Sequence, residues 1–235
     1  MTDIVLPGPA LSFQPVFQPI VTARASHQAI RYELLARLRL DDGTLLAPGP
    51  LLDQTSSLEV EIDLCALGAA TVVLGEQNTS RLSLNAGKQT LLDPQWIDGI
   101  DALAAHPSRA NRLMLEVTER GRFSASGDDL AQLARLRRAG VTIALDDLSG
   151  REEDFEDLLA VRPDVVKLDR SVGLMALEGH VDALDDLVTA ADDIGALTVM
   201  EGMETEAAAL WFGAVGVDLL QGYFFGRPSP DFPIA

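Results

Sequence analysis

Several short apolar runs in this sequence stop at an acid or an amide. "LSL" ends in Asn85, "LML" in Glu116, "IAL" in the pair Asp146 and Asp147, "TVM" in Glu201 and "LL" in Gln221. The run "VV" leads to Lys167, with Asp169 two residues on, and Glu33 interrupts the alternating stretch "IRYELLARL". Oxygen donors of this kind suit hard cations such as Mg²⁺ or Mn²⁺. Two such ions a few ångströms apart can activate a water and clamp phosphate oxygens, which is the chemistry of phosphoester hydrolysis. A lysine among them would orient the water or neutralise developing charge. His27, His106 and His180 are scattered and Cys65 has no partner, so no zinc set is offered.

Each of these residues also has a plainer use. Asp146 and Asp147 could cap a helix starting near Glu152. Lys167 and Asp169 could form a surface ion pair. Asn85 could hold a turn, and Glu33 could face solvent from an edge strand. With 36 acids in the chain, some will fall at strand ends by chance. Recurrence across successive strands, with mixed residue types, favours a site.

For these side chains to meet, the runs must be neighbouring strands. Eight segments read as strands: 12–21, 29–38, 81–85, 112–117, 142–147, 164–169, 197–202 and 217–222. Between them, 57–75, 93–106, 126–140, 153–161, 180–195 and 204–216 read as helices. Ser126 precedes an acidic first turn, and Gly140, Gly195 and Gly216 follow helix ends. Strands alternating with helices predict a parallel sheet with helices outside. About eight strands in 235 residues fit a (β/α)8 barrel, whose C-terminal strand ends converge on one face. A doubly wound open sheet is the alternative, but no G-x-G-x-x-G turn follows the first strand.

The net charge of −18 repels nucleic acid and anionic lipid, and no basic stripe offsets it. An anionic substrate would therefore need local cations. The single cysteine suits a reducing compartment. The start "TDIVLPGPALSFQP" lacks the basic, apolar form of a signal peptide, and no apolar run is long enough to span a membrane. A cytoplasmic protein is the expectation.

Taken in order, the motifs resemble the EAL-domain family of cyclic di-GMP phosphodiesterases. "FQPIV" is similar to the family's opening strand, and "YELLARL" to its E-A-L-x-R signature, with Leu34 replacing the alanine. "LNAG", "LEVTER", "ALDDL", "PDVVKLDRS", "VMEGMET" and "LLQGYFFGRP" resemble the motifs that follow. The match runs from Phe17 to Pro228, placing an EAL domain at 13–235 behind a lead-in of residues 1–12.

The resemblance implies a modified (β/α)8 TIM-like barrel with an antiparallel first strand, usually dimeric. It implies hydrolysis of cyclic di-GMP to linear pGpG with Mg²⁺ or Mn²⁺, two ions, and inhibition by Ca²⁺. By position, Glu33, Asn85, Glu116, Asp146 and Asp147 would be metal ligands. Lys167 would place the attacking water, and Glu201 would be the general base or a further ligand. Gln18, Leu35, Arg37 and Gln221 would contact the nucleotide, with Glu119, Asp169 and Glu204 in support. The loop after the aspartates departs from the family's D-D-F-G-T-G-Y-S-S-L: here Leu148, Ser149, Gly150, Arg151, Glu152, Glu153, Asp154 and Phe155 follow. That departure keeps open a receptor that binds cyclic di-GMP and signals through a protein partner without cleaving it. An interaction module that has lost the nucleotide is a third possibility.

Overall fold

The computed structural model describes residues 3–4, 11–24, 26–49, 56–75, 80–118 and 127–232. A two-residue strand β1 (Asp3–Ile4) pairs with β2 (Leu11–Thr22), which forms a long antiparallel hairpin with β3 (Ala29–Arg39). The register of that hairpin sets Gln18 directly opposite Glu33. A second two-residue strand, β4 (Leu45–Leu46), pairs with β3.

From β3 onward the sheet is parallel through β5 (Leu82–Ala86), β6 (Leu113–Val117), β7 (Thr142–Leu148), β8 (Val165–Leu168), β9 (Leu197–Met200) and β10 (Leu219–Gln221). β10 then pairs antiparallel with β2 and closes the barrel. Eight strands close the ring, and β2 alone runs against both its neighbours, because a hairpin rather than a crossover helix joins it to β3. The (β/α)8 barrel is the one read from the sequence, and its antiparallel first strand is the one the family resemblance implies.

Helices α1 (Ser56–Gly75), α2 (Pro94–Ala104), α3 (Pro107–Ala110), α4 (Asp128–Arg138), α5 (Glu152–Val161), α6 (Arg170–Leu177), α7 (Asp182–Ile194) and α8 (Glu206–Ala214) connect the strands. All six helical segments read from the sequence are present. Ser126 lies outside the described residues, and α4 starts after Gly127. The sequence reading missed α6, which Asp169 opens by accepting the Ser171 N–H at 2.9 Å. Gly173 obscured it, since an internal glycine lowers helix propensity. Here the glycine allows close packing: an added Cβ would lie 3.2–3.3 Å from Met200 and Phe212.

Successive residues of a strand point to opposite faces, so residues two apart share a face. Ile20, Met114, Ala144, Val165, Val199 and Leu219 form a small apolar cluster, separate from the large core under the helices. Each lies two residues from a polar candidate: Gln18, Glu116, Asp146, Lys167, Glu201 and Gln221 respectively. The barrel interior is therefore layered, with an apolar floor and a polar layer above it at the strand ends. Arg31, two residues before Glu33, also sits in the floor, donating to the carbonyls of Leu82 and Arg112 at 2.8 and 3.1 Å. Among the described residues no helix is long and apolar enough to cross a membrane.

Candidate active site

Glu33 anchors the polar layer. Its Oε1 accepts from Asn85 Nδ2 at 2.8 Å and its Oε2 from Gln221 Nε2 at 2.6 Å. The Gln221 amide also reaches Gln18 Oε1 at 3.3 Å, and Gln18 donates to the Gly226 carbonyl at 3.0 Å. Burial would raise the Glu33 carboxyl, but Lys167 and the two amides outweigh it and hold Glu33 below its ordinary value. Its solvent-facing alternative is thereby excluded: Glu33 is 4% exposed.

Lys167 stands at the centre. Its Nζ lies 2.6 Å from Glu116 Oε2, 2.7 Å from Glu201 Oε1, 3.0 Å from Asp146 Oδ1 and 3.5 Å from Glu33 Oε2. The side chain is 1% exposed, so it is no surface ion-pair partner for Asp169. Burial works against its charge, yet Asp146, Glu116, Glu201 and Glu33 together keep the ammonium well above the usual lysine range. Three of these carboxylates, unlike Glu33, are pushed toward their neutral form. Burial and Glu33 push Glu116 well up, with Lys167 opposing. Burial also raises Asp146 against the pull of Lys167. Glu201 is pushed up to about 8, first by burial and then by Asp146 and Glu33.

A backbone irregularity explains how two consecutive aspartates face the same cavity. Leu145 pairs with Val166, and the ladder resumes at Leu148 with Leu168. Lys167 alone therefore spans the interval that Asp146 and Asp147 share, a two-for-one bulge. Asp147 adopts φ 60°, in the left-handed region that aspartate tolerates better than most residues. Both side chains line the cavity. Asp147 is pushed up to about 6, by burial first and then by Asp146, with Asp169 contributing from the N-terminus of α6. Neither aspartate caps α5; the Asp154 carboxylate bonds the backbone ahead of that helix instead.

Five carboxylates, Glu33, Glu116, Asp146, Asp147 and Glu201, thus surround one ammonium. The excess negative charge has to be met by protons or by cations. Ligand oxygens of Glu33, Glu116 and Asp146 lie within 4.8 Å of one another, as do those of Asp146, Asp147 and Glu201. Asp146 belongs to both groups. Among the described residues, Glu116 Oε1 and Asp146 Oδ1 are buried without a hydrogen-bond partner, the latter touching Lys167 outside hydrogen-bond geometry. Oxygen-only donors with unsatisfied lone pairs fit hard divalent cations.

Above the cluster opens a cavity of about 470 Å³. Gln18, Leu35, Arg37 and Gln221 line it, a size and mixed character suited to a small molecule. Arg37 Nη1 donates to the Ala36 carbonyl at 2.7 Å. Glu204 lies at the rim in an exposed ion pair with Arg170. Glu119 lies outside the described residues. Asp169 is set apart from the cluster as the α6 cap.

The sequence reading missed Asp63, Arg170 and Tyr223, which also line the cavity. Asp63 is buried and accepts from Thr90 Oγ1 at 2.6 Å and from the Gly87 N–H at 3.0 Å. Burial pushes its carboxyl up to about 7. An acid on the apolar face of α1 was the available signal.

The EAL domain family model matches residues 10–228. Cyclic di-GMP phosphodiesterase RocR of Pseudomonas aeruginosa is 32% identical over 121 residues, covering 51% of this chain and 31% of that protein. A probable cyclic di-GMP phosphodiesterase of Escherichia coli, PdeD, is 36% identical over 137 residues, covering 55% and 24%. This chain spans about a quarter to a third of the length of these relatives. The EAL domain of Xanthomonas citri FimX, solved in complex with c-diGMP, shares the fold with a TM-score of 0.80 at 23% identity, over 95% of this chain and 91% of that one. With a family match across nearly the whole barrel and an acidic cluster at its strand ends, the chain belongs to the EAL domain family.

Proposed function

We propose that this chain hydrolyses cyclic di-GMP to linear pGpG in a reaction dependent on Mg²⁺ or Mn²⁺. The observation that carries the reading is the pair of carboxylate groups sharing Asp146 around Lys167, at the floor of a cavity large enough for a nucleotide. Glu33, Asn85, Glu116, Asp146 and Asp147 would hold the cations. When bound, the ions supply Lewis-acid activation of water and charge neutralisation at phosphate.

The chain's own groups would do the rest. Gln221 and Asn85 fix the Glu33 carboxylate in one orientation through their amide donors. Lys167, freed from some of its carboxylate contacts by the added positive charge, would donate to the attacking water. Glu201, half-buried at the edge of the cluster, would in its ionised form take the proton of that water as the new O–P bond forms and the ester P–O bond breaks, and the leaving ribose oxygen, which stays in the linear product, would take up a proton from solvent. Arg37 at the rim would pair with a phosphate, and Gln18 and Leu35 would contact the nucleotide.

The test is incubation of purified protein with cyclic di-GMP and Mn²⁺, separation of the nucleotides, and Glu33→Ala in parallel. pGpG from the wild type and none from the variant is the expected result. One observation favours the receptor as a second reading: Lys167 already places positive charge within 3.0 Å of three of the carboxylates. A site neutralised in this way could hold the nucleotide without cutting it. Cyclic di-GMP that binds in Mn²⁺ buffer and survives would establish that reading.

A further inference from the structure

The loop that follows the two aspartates is organised by one side chain. Asp154, in the first turn of α5 and 4% exposed, turns its carboxylate back over the loop. Its Oδ2 accepts three consecutive backbone N–H groups, from Ser149 at 2.8 Å, Gly150 at 2.9 Å and Arg151 at 3.0 Å. Arg151 Nη2 lies 3.3 Å from Oδ1. Gly150 supplies the φ of 87° that this turn needs, and an added Cβ would lie 3.0 Å from Ala183 Cβ. The helix that carries Asp154 is itself tied to the segment after β5: Lys88, three residues beyond Asn85, bonds Asp157 at 3.2 Å.

Immediately before this loop stands Asp147, in its left-handed conformation at the bulge. A non-glycine residue at positive φ persists only where its surroundings fix it. On one side the ladder from Leu145 to Val166 does so. On the other, the Leu148–Leu168 pair leads straight into the segment gathered on Asp154. From this geometry we infer that Asp154 is a positioning residue: by fixing residues 149–151 it holds the bulge, and with it the Asp147 carboxylate, aimed into the acidic cluster. The inference rests on the metal-site reading above. It also makes the loop that departs from the family motif an ordered element with its own anchor.

The test is titration of Mn²⁺ alone into the metal-free full chain by calorimetry, for wild type, Asp154→Ala, Asp154→Asn and each change combined with Asp147→Asn. Groups that orient metal ligands typically contribute about 10–100-fold to affinity. Asp154→Ala is expected to weaken Mn²⁺ binding within that range, and Asp154→Asn, which keeps an accepting oxygen, to recover most of it. In the Asp147→Asn background, Asp154→Ala should cost less than about 2-fold further, because the two residues act as one unit. Equal losses with and without the Asp147 carboxylate would overturn the inference, as would wild-type affinity in Asp154→Ala. If that variant does not fold, Gly150→Ala distorts the same loop with Asp154 intact, and wild-type affinity there would overturn it too. A wild type that takes up no Mn²⁺ would overturn both this inference and the metal reading beneath it. A wild type that binds, with Asp154→Ala equal to it, would overturn this inference alone.

Discussion

Lys167 and Glu116 form a contact of 2.6 Å in which both side chains are withdrawn from water, at 1% and 0% exposure. Neither charge has solvent to fall back on. Removing one partner of a buried pair typically destabilises by about 3–5 kcal/mol, because the other is left uncompensated. Lys167→Met should therefore lower the urea midpoint sharply in chelator, and Mn²⁺ should restore much of the loss by replacing the missing positive charge. Equal stability of the variant with and without Mn²⁺ would count against a shared cation position.

The pH dependence follows from the raised carboxyls. Glu201 and Asp147 have folded-state values near 8 and 6, above their ordinary ones, so the folded chain binds more protons than the unfolded chain in the interval between. The stabilisation from these groups is present below pH 4 and is lost as pH rises through 6 and then 8. Chemical denaturation in chelator should show stability falling across that window, and saturating Mn²⁺ should flatten the slope by displacing the protons. Calorimetry in buffers of different ionisation enthalpy, near pH 6.5, should register proton release on Mn²⁺ binding.

Asp146 belongs to both carboxylate groups. Asp146→Asn should leave circular dichroism unchanged and cut turnover by about 100-fold or more, as loss of one strong electrostatic contact commonly does. Turnover within a few-fold of wild type would remove Asp146 from the centre of the account.

Arg170 and Glu204 provide a contrast. Both are about half exposed, and exposed pairs contribute only about 0–1 kcal/mol. Glu204→Ala should barely move the thermal midpoint, and any effect should appear in KM, since both residues line the rim of the cavity.

The sequence exposes much of this arrangement because strands and layers obey simple periods. Residues two apart share a face, so the apolar residues leading to Glu116, Asp146, Lys167 and Glu201 announce both a barrel floor and the polar layer above it. The orientation of Asp147 was less accessible. Strict alternation would point it away from Asp146, and only the extra residue opposite Lys167 brings it round. Asp169 illustrates a different difficulty. Its spacing from Lys167 suggested a pair, but the strand ends at Leu168 and Asp169 caps a helix that Gly173 disguised. Asp154 was invisible as a functional candidate because its partners are backbone N–H groups, which no spacing of residue types reveals.

A single-turnover reaction in ¹⁸O-labelled water decides whether the acidic cluster around Lys167 directs water onto a phosphate. Protein in excess over cyclic di-GMP, with Mn²⁺, should yield pGpG carrying one labelled oxygen in its terminal phosphate, and chelator should abolish the product. Intact cyclic di-GMP on protein that has demonstrably bound both Mn²⁺ and the nucleotide would contradict hydrolysis at this site.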